Sequence, residues 1–430
     1  MAGYAAGVSL ASFATLLLEL ALTRLFSVVL FYHFAFLAIS IALLGLGAGG
    51  VFAFIGKGRL EAWETARLAQ RCCLGSAIAM LVALELVLHT SVALDFTSRN
   101  FLRLTLVYLA AAVPFFFTGL MFSVIFAREP ERISHLYGAD LMGGAAACLA
   151  VVPLLNAVGG PNAVVFAALA MACAAAIWNP AGRRVALGLG GLFALVIATN
   201  VVLQGRLIDI VYAKGMRRDK PWVLYSRWNA ISRVEVDQTG NSKAIVIDAD
   251  AATAIMNADP AHWEDHGWKK NLMSAAPAVV NVLRPQGDYA IIGPGGGVDV
   301  LRAVANGSKN VTAIEINGII ANDIMRGRYA DYAYHLYERP EVHLHVQDGR
   351  SFIRSSKEKY DVIQMTLVDT WASTSAGAFA LSENNLYTVE AFKEYFDHLK
   401  PDGMIAITRW EFSEPREALR VVSQGIEALR

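Results

Sequence analysis

The groups best suited to chemistry in this sequence are a run of glycines and two acids that follow it. The glycines are Gly293, Gly295, Gly296 and Gly297, and they let backbone approach a ligand that would collide with any Cβ. Glu315 follows about twenty residues later, where a carboxylate can accept both hydroxyl hydrogens of a ribose. Asp348, with Gly349 beside it, can accept a hydrogen bond from the exocyclic amine of adenine. Together these residues predict a site for an adenine nucleoside.

The spacing of the glycines argues against a dinucleotide. A dinucleotide-binding turn has the pattern GxGxxG, and Val298 stands where the third glycine is needed for close helix packing. A nucleoside with a sulfonium group, S-adenosylmethionine or its decarboxylated form, suits the turn and the adenine-side acid better. We therefore expect one of these two nucleosides as the co-substrate.

From Tyr289 onward, short apolar strands alternate with helices, which is typical of a parallel sheet with crossover helices. The predicted strands are YAIIG, VTAIEI, VHLHVQD, YDVIQMT and GMIAITRW. Ligands of such sheets bind beyond the carboxyl ends of the strands, where strand order reverses. Glycines, Glu315 and Asp348 follow the first three strands, and Asp369 follows the fourth. The fold class predicted here is an α/β Rossmann-like domain of the S-adenosylmethionine type.

A small β-layer is predicted before this domain. Apolar and polar residues alternate on both sides of QTGNS within 228–255, which indicates a β-hairpin. The stretch 260–283 then predicts a loop followed by a helix. His262, Asp265 and His266 in that loop do not form a catalytic metal signature, so no metal is expected.

The first half of the chain has the composition of a membrane protein. Hydrophobic residues make up 55% of the sequence, charged residues only 17%, and the mean hydropathy is +0.43. A bilayer core of about 30 Å needs roughly 20 apolar residues per helix, and about seven such runs are present. They lie near 5–22, 29–55, 72–94, 104–127, 139–157, 162–178 and 185–203. We predict an N-terminal α-helical transmembrane bundle, with packing seams of small residues at 43–50 and 137–147.

Several polar side chains fall within these apolar runs. The ionisable ones are Glu19, Arg24, His33, Glu85 and His89, and they indicate either a polar pocket or ion-paired helix contacts. The cysteines show no paired metal spacing and are expected to be small buried residues. They are Cys72, Cys73, Cys148 and Cys173.

Composition divides the chain into three parts: a multi-pass transmembrane domain over 1–203, a linker and small β-layer over 204–258, and the Rossmann-like domain over 259–430. Lys+Arg 37 balance Asp+Glu 37, so no nucleic acid partner is expected. Lys and Arg are equally frequent on the two sides of the predicted bundle, so the positive-inside rule does not fix its orientation. Because nucleotide cofactors are made in the cytoplasm, we expect an inner-membrane protein whose soluble domain is cytoplasmic.

The motifs GPGGGVD, AIEIN, QDGRSFI, YDVI and LYTVEAF resemble those of the spermidine synthases, the polyamine aminopropyltransferases. The resemblance covers residues 226–410, and LLELALTRL and LYGADLMGGA are similar to the form of this family that is fused to a multi-span membrane domain. It implies transfer of an aminopropyl group from decarboxylated S-adenosylmethionine to an amine. It also implies that Glu315 holds the ribose, Asp348 the adenine, and the turn 293–297 the methionine-derived tail.

The catalytic acids of that family are only partly matched. Spermidine synthases carry an aspartate shortly after YDVI and a second one in the run that follows, whereas this chain has Thr366 at the first place and Asp369 at the second. An amine nucleophile must first lose a proton, which Thr366 cannot accept. Asp369 is the candidate base, with Glu383 as an alternative in the segment 373–385, which we expect to act as a lid.

The acceptor pocket implied by the resemblance is also altered. The stretch IDADAATAI offers only Asp248 and Asp250, and Lys269 and Lys270 stand where a carboxylate is expected. Asp248, Asp250 and Tyr387 are therefore the candidates for a different amine pocket.

Three functions remain open on the sequence. The chain transfers an aminopropyl group to an amine, transfers a methyl group to a membrane-presented acceptor, or is a transporter or sensor with a regulatory nucleoside-binding domain. The expected partners are a small-molecule amine or membrane-presented acceptor and the lipid bilayer. The predicted sheet stops short of its last strands, and the edge strand left exposed makes a homo-oligomer a further expectation.

Overall fold

The structure, a computed structural model, describes residues 2–30, 34, 36–93, 95, 97–262, 267–368, 385–409 and 416–430. These residues divide into two compact units. The helical unit contains the described chain up to Pro221 together with Ser226–Arg233. The sheet unit contains Trp222–Tyr225 and the described chain from Val234 onward, apart from the helical unit's share.

The helical unit contains seven helices that are long and apolar enough to cross a membrane, counted over the described residues. Its helices are Ala2–Val29 (α1), Leu37–Ile55 (α2), Lys57–Leu60 (α3), Thr65–His89 (α4), Ser98–Arg128 (α5), Ile133–Val158 (α6), Gly160–Trp178 (α7) and Arg183–Val202 (α8), of which α3 is the short one. The predicted start of the second span at residue 29 is wrong, because α1 continues to Val29. Its last carbonyl accepts a hydrogen bond from the Lys214 amide at 2.7 Å.

The helix α7 forms the interior of this unit. It packs against α1, α4 and α8 and is buried along most of its length. Its sequence is rich in alanine, and small side chains allow neighbouring helices to approach on every side. By contrast, α6 and α8 bury only a narrow stripe of residues.

Polar side chains within the helices follow the predictions in part. The side chains of Glu85 and His89 form a pair at 3.2 Å, one turn apart on α4. Arg24 is buried and donates a hydrogen bond to Ser27 at 2.9 Å. Cys72 and Cys73 are buried and Cys173 is half-buried, whereas the prediction of a buried Cys148 is wrong. That cysteine lies on the exposed side of α6, which is turned away from the other helices. His33 lies outside the described residues.

The predicted seams of small residues are places where helices touch. A Cβ added to Gly49 of α2 would lie 2.3 Å from the carbonyl oxygen of Phe116 in α5. At Gly143 of α6, the same atom would lie 2.0 Å from the carbonyl oxygen of Ser9 in α1. These helices therefore approach backbone to backbone at positions that only glycine fits.

Short strands precede the main sheet. Tyr212–Ala213 (β1) and Met216–Arg217 (β2) form an antiparallel pair. A four-stranded sheet follows, in the order Val223–Trp228 (β3), Arg233–Thr239 (β4), Ser242–Ile247 (β5) and Ala251–Ala254 (β6). The predicted hairpin is confirmed, since Thr239 pairs with Ser242 across the turn.

The single helix predicted within 260–283 is wrong. Two short helices, Trp268–Met273 (α9) and Val279–Leu283 (α10), occupy its place. Pro277 lies between them, and a proline lacks the backbone N–H that a continuous helix needs.

The main sheet has the five predicted strands, all parallel, in the order β11-β10-β7-β8-β9. The strands are Tyr289–Ile292 (β7), Val311–Glu315 (β8), Val342–Val346 (β9), Tyr360–Thr366 (β10) and Leu399–Thr408 (β11). The helices of this part are Val298–Ala305 (α11), a π-type helix Ile319–Arg328, Gly349–Ser355 (α12), Val389–Asp397 (α13) and Arg416–Ala428 (α14). Strand order reverses between β7 and β10, which is where such sheets bind ligands. The predicted fold class, a bundle of apolar helices, a small β-layer and a Rossmann-like domain, is confirmed.

We predict that Gly49→Ala lowers the melting temperature of the purified protein by several degrees, because the added methyl group meets backbone that cannot move aside. The matched control is Gly47→Ala in the same helix, where nothing lies within 4 Å of the added atom. That change should leave the melting temperature unchanged or raise it, since alanine favours helix over glycine. Thermal unfolding in detergent measures both, and equal effects would show that α2 and α5 do not touch at Gly49.

Candidate functional site

The glycine turn lies between β7 and α11, at the end of the first strand of the sheet. Gly293, Gly295 and Gly297 have φ angles of +69°, +53° and +92°, which disfavour any residue with a side chain. A Cβ on Gly296 would lie 1.9 Å from the carbonyl oxygen of Ala254 in β6. The turn thus needs glycine both for its backbone angles and for the closeness of β6.

Hydrogen bonds hold both the N–H and the carbonyl of Gly295. Its N–H donates to Glu315 Oε2 at 3.3 Å, and its carbonyl accepts from the Tyr337 hydroxyl at 2.8 Å. Tyr337 is fully buried, so its hydroxyl has little freedom to choose another partner. Sequence analysis missed Tyr337, because it lies in the irregular stretch HLYERP and no local pattern connects it to the turn.

Glu315, the last residue of β8, is a buried carboxylate with only 4% of its surface exposed. Its Oε1 accepts the Asn317 N–H at 2.9 Å. Burial raises the pKa of Glu315 to about 7, and the two backbone N–H donors offset this only in part. Each carboxylate oxygen keeps a lone pair for a further donor, which is what two ribose hydroxyls require.

Asp348 is the N-cap residue of α12, and its Oδ1 accepts a hydrogen bond from the N–H of Ser351 at 2.8 Å. This cap fixes the direction of the carboxylate and leaves its other oxygen for a ligand. A Cβ on Gly349 would lie 2.4 Å from the side chain of Ile292, so this turn packs tightly against the end of β7. The glycine turn, Glu315 and Asp348 are therefore brought to one edge of the sheet, as the sequence predicts.

Ile316 is a further residue at this edge that sequence analysis missed. It follows Glu315 directly, and half of its surface is exposed although it is a large apolar side chain. An exposed apolar surface beside a buried carboxylate that has lone pairs for further donors is suited to a flat heteroaromatic ring. The signal in the sequence was the isoleucine of AIEIN after the acid.

Of the three predicted catalytic residues, Thr366 lies within the described part of the chain. Thr366 ends β10, is half-buried and pairs with Thr408 of β11. Its hydroxyl oxygen accepts a hydrogen bond of 3.5 Å from the Gln364 side-chain amide. Asp369 and Glu383 lie outside the described residues.

The predicted amine-pocket residues are found in different surroundings. Asp248 and Asp250 lie in the turn between β5 and β6, where Asp248 is fully buried with a φ of +50° and Asp250 is exposed. Tyr387 lies just before α13 and is buried, with 5% of its surface exposed. The guanidinium of Arg409, just after β11, lies 4.7 Å from the centre of the Tyr387 ring.

The described part of the chain contains no group of three or more His, Cys, Asp and Glu residues arranged to hold a metal ion. His262 forms a 2.9 Å pair with Asp259. Asp265 and His266 lie outside the described residues.

Comparisons with known proteins find one family. Residues 280–427 match the family model described as "Spermine/spermidine synthase domain". The chain is 22% identical over 201 residues to polyamine aminopropyltransferase 2 of Hyperthermus butylicus. It is 30% identical over 134 residues to the polyamine aminopropyltransferase of Alkaliphilus oremlandii. The resemblance inferred from the motifs is thereby confirmed for the sheet unit.

The matches are partial in length. They cover 46% and 31% of this chain and 56% and 41% of the two relatives, so the chain spans about half the length of the relatives it matches. Among solved structures, the spermidine synthase of Thermotoga maritima is 18% identical with a TM-score of 0.32, over 48% of this chain and 61% of that one. A spermidine synthase in complex with the transition state analogue AdoDATO has the same identity and TM-score, over 48% and 62%.

We predict that Tyr337→Phe weakens binding of an adenine nucleoside by roughly 2- to 12-fold, the equivalent of one hydrogen bond of about 0.5–1.5 kcal/mol. The ring still fills the core, but the Gly295 carbonyl loses its donor and the turn loses its fixed position. Calorimetric titration with decarboxylated S-adenosylmethionine measures the change. Tyr332→Phe is the control, since that hydroxyl binds the Asn241 carbonyl on the surface. Equal affinities for both variants would contradict a role for Tyr337 in the turn.

Proposed function

We propose that this chain, which is spermidine synthase-like over residues 280–427, is a membrane-bound transferase that moves an aminopropyl group from decarboxylated S-adenosylmethionine to an amine. The observation that carries the proposal is the hydrogen bond between the Gly295 N–H and Glu315. It joins a glycine turn on one strand to a buried carboxylate on the next, at the edge where ligands of such sheets bind. Both relatives are polyamine aminopropyltransferases, and they supply the reaction class.

The described residues suit each part of the nucleoside. Glu315 accepts the ribose hydroxyls, Asp348 accepts the exocyclic amine of adenine, and Ile316 packs against the ring. The glycine turn can place its backbone against the chain that carries the sulfonium, because a side chain at Gly295 or Gly296 would collide with β6 and displace the turn.

The reaction is a displacement at carbon. The amine nitrogen forms a bond to the carbon next to the sulfonium, the carbon–sulfur bond breaks, and its electron pair stays on sulfur as a neutral thioether. The protein contributes by holding the two reactants in line. Asp369 and Glu383 remain our candidates for the group that takes the proton, and Asp248, Asp250 and Tyr387 remain candidates for binding the amine.

The direct test is a product assay. Purified protein is incubated with decarboxylated S-adenosylmethionine and a panel of primary amines, and the products are identified by mass spectrometry. We expect equal amounts of an aminopropylated amine and the thioether nucleoside. A methylated product formed from intact S-adenosylmethionine would establish methyl transfer instead, which the Thr366 replacement and the seven apolar helices favour as the second candidate.

We propose that the seven apolar helices cross the inner membrane and that the sheet unit lies in the cytoplasm, where the nucleoside is made. We expect protease added to sealed, right-side-out spheroplasts to leave the sheet unit intact. Its digestion there would reverse the orientation.

Glu315 makes nucleoside binding depend on pH. The ribose hydroxyls donate to the ionised carboxylate, whose pKa burial raises to about 7 in the free protein. Binding should therefore be strongest above pH 7 and weaken as the pH falls through that value. We predict a rise of roughly tenfold in the dissociation constant between pH 8 and pH 6. Calorimetry at several pH values checks this, and Glu315→Gln should bind weakly without the pH dependence. A wild-type affinity that is constant from pH 6 to 8 would contradict the assignment.

A further inference from the structure

Gln364 is a buried amide in the middle of β10. Only 1% of its surface is exposed, and no hydrogen-bond donor among the described residues reaches its side-chain oxygen. Its nitrogen lies 3.5 Å from the Thr366 hydroxyl oxygen, which is a weak contact. Turning the amide by 180° exchanges the two atoms but still leaves one of them without a partner.

This amide lowers the stability of the folded chain. A buried polar group without a partner lowers the stability of a fold, whereas an apolar side chain of similar size does not. The neighbouring positions Val362, Ile363 and Met365 of the same strand are fully buried and apolar. A ligand that donates a hydrogen bond to Gln364 would supply the missing partner.

The position of Gln364 places it beside the nucleoside site. Side chains two residues apart on a strand share a face, so Gln364 lies directly beneath Thr366. Gln364 is opposite Ile291 of β7 on one side and the small Ala406 of β11 on the other. Two residues after Ile291 comes Gly293, where an added Cβ would lie 2.7 Å from Val368. The end of β10 therefore borders the glycine turn.

We propose that Gln364 and Thr366 form the acceptor subsite, and that they bind the reacting nitrogen as an uncharged amine. This inference rests on the proposed aminopropyl transfer and specifies its acceptor. The amide oxygen of Gln364 accepts an N–H of the amine, and the hydroxyl of Thr366 holds a second one. The nitrogen lone pair is then free to attack the carbon next to the sulfonium.

With a neutral amine this step needs no carboxylate, so Asp369 or Glu383 is required as a base only for an acceptor that binds as an ammonium ion. A neutral amine gains a carbon substituent and becomes an ammonium ion, while the sulfonium becomes a neutral thioether. The product leaves as an ammonium ion, so total charge is conserved and no proton is transferred in the step. Such a subsite selects the free-base form of the acceptor, which explains how Thr366 can stand where the resembling family has an acid.

The described side chains around the subsite are consistent with a neutral acceptor end. Thr366 and its partner Thr408 in β11 are both uncharged.

The experiment measures steady-state transfer to a primary alkyl monoamine and to a diamine. The rate is determined from the amount of thioether nucleoside released. Primary amines have a pKa near that of lysine, about 10.4, so kcat/KM for the amine should rise about tenfold per pH unit from pH 7 to 9. Gln364→Leu should raise the KM for the amine at least tenfold, with an unchanged dissociation constant for decarboxylated S-adenosylmethionine and an equal or higher melting temperature.

Gln424→Leu is the matched control, because it removes another side-chain oxygen without a partner, in α14. It should leave the amine KM unchanged. Thr366→Asp should raise the transfer rate at pH 7 and flatten its pH dependence, since the new carboxylate can take the proton from an ammonium ion.

The outcomes separate this inference from the proposed function. If the wild type releases no thioether nucleoside with any amine, aminopropyl transfer itself is wrong and the inference falls with it. If the wild type is active but Gln364→Leu keeps the amine KM, or kcat/KM is flat between pH 7 and 9, the function stands and the neutral-amine subsite is overturned.

Discussion

The site depends on the two hydrogen bonds that hold the N–H and the carbonyl of Gly295. Its N–H binds a carboxylate at the end of β8, and its carbonyl binds the hydroxyl of Tyr337. Because these bonds come from separate elements, the turn has one position relative to the sheet edge, and every other ligand-binding group is placed by reference to it. The close approach of β6 to Gly296 then closes the remaining side of the turn.

Two polar groups near this turn are poorly accommodated by the fold itself. Glu315 is buried enough that its pKa rises to about 7, and Gln364 carries an amide oxygen without a donor. Both lie where the nucleoside and its acceptor would meet. Proteins commonly accept such local losses of stability at functional sites, because the ligand supplies the missing partners. The two groups thus mark the parts of this edge that we propose for the nucleoside and for its acceptor.

The sequence was most informative where backbone geometry restricts the residue type. The positive φ angles of Gly293, Gly295 and Gly297 permit little else, and the strand ends followed from periodicity. Contacts between distant segments were not accessible in the same way. Tyr337 and Gln364 occupy ordinary positions in the sequence, and only the folded chain shows that one supports the turn and the other lacks a partner. The break between α9 and α10 has a signal in the sequence, because Pro277 lacks the backbone N–H that a continuous helix needs.

The proposed function requires that the pocket accept decarboxylated S-adenosylmethionine as an aminopropyl donor. The most direct measurement is calorimetric titration of the detergent-purified protein with this nucleoside and, separately, with intact S-adenosylmethionine. We predict that the decarboxylated form binds at least tenfold more tightly, a difference in binding free energy of about 1.4 kcal/mol. Tighter binding of the intact form would contradict aminopropyl transfer, and binding of neither would contradict the nucleoside site.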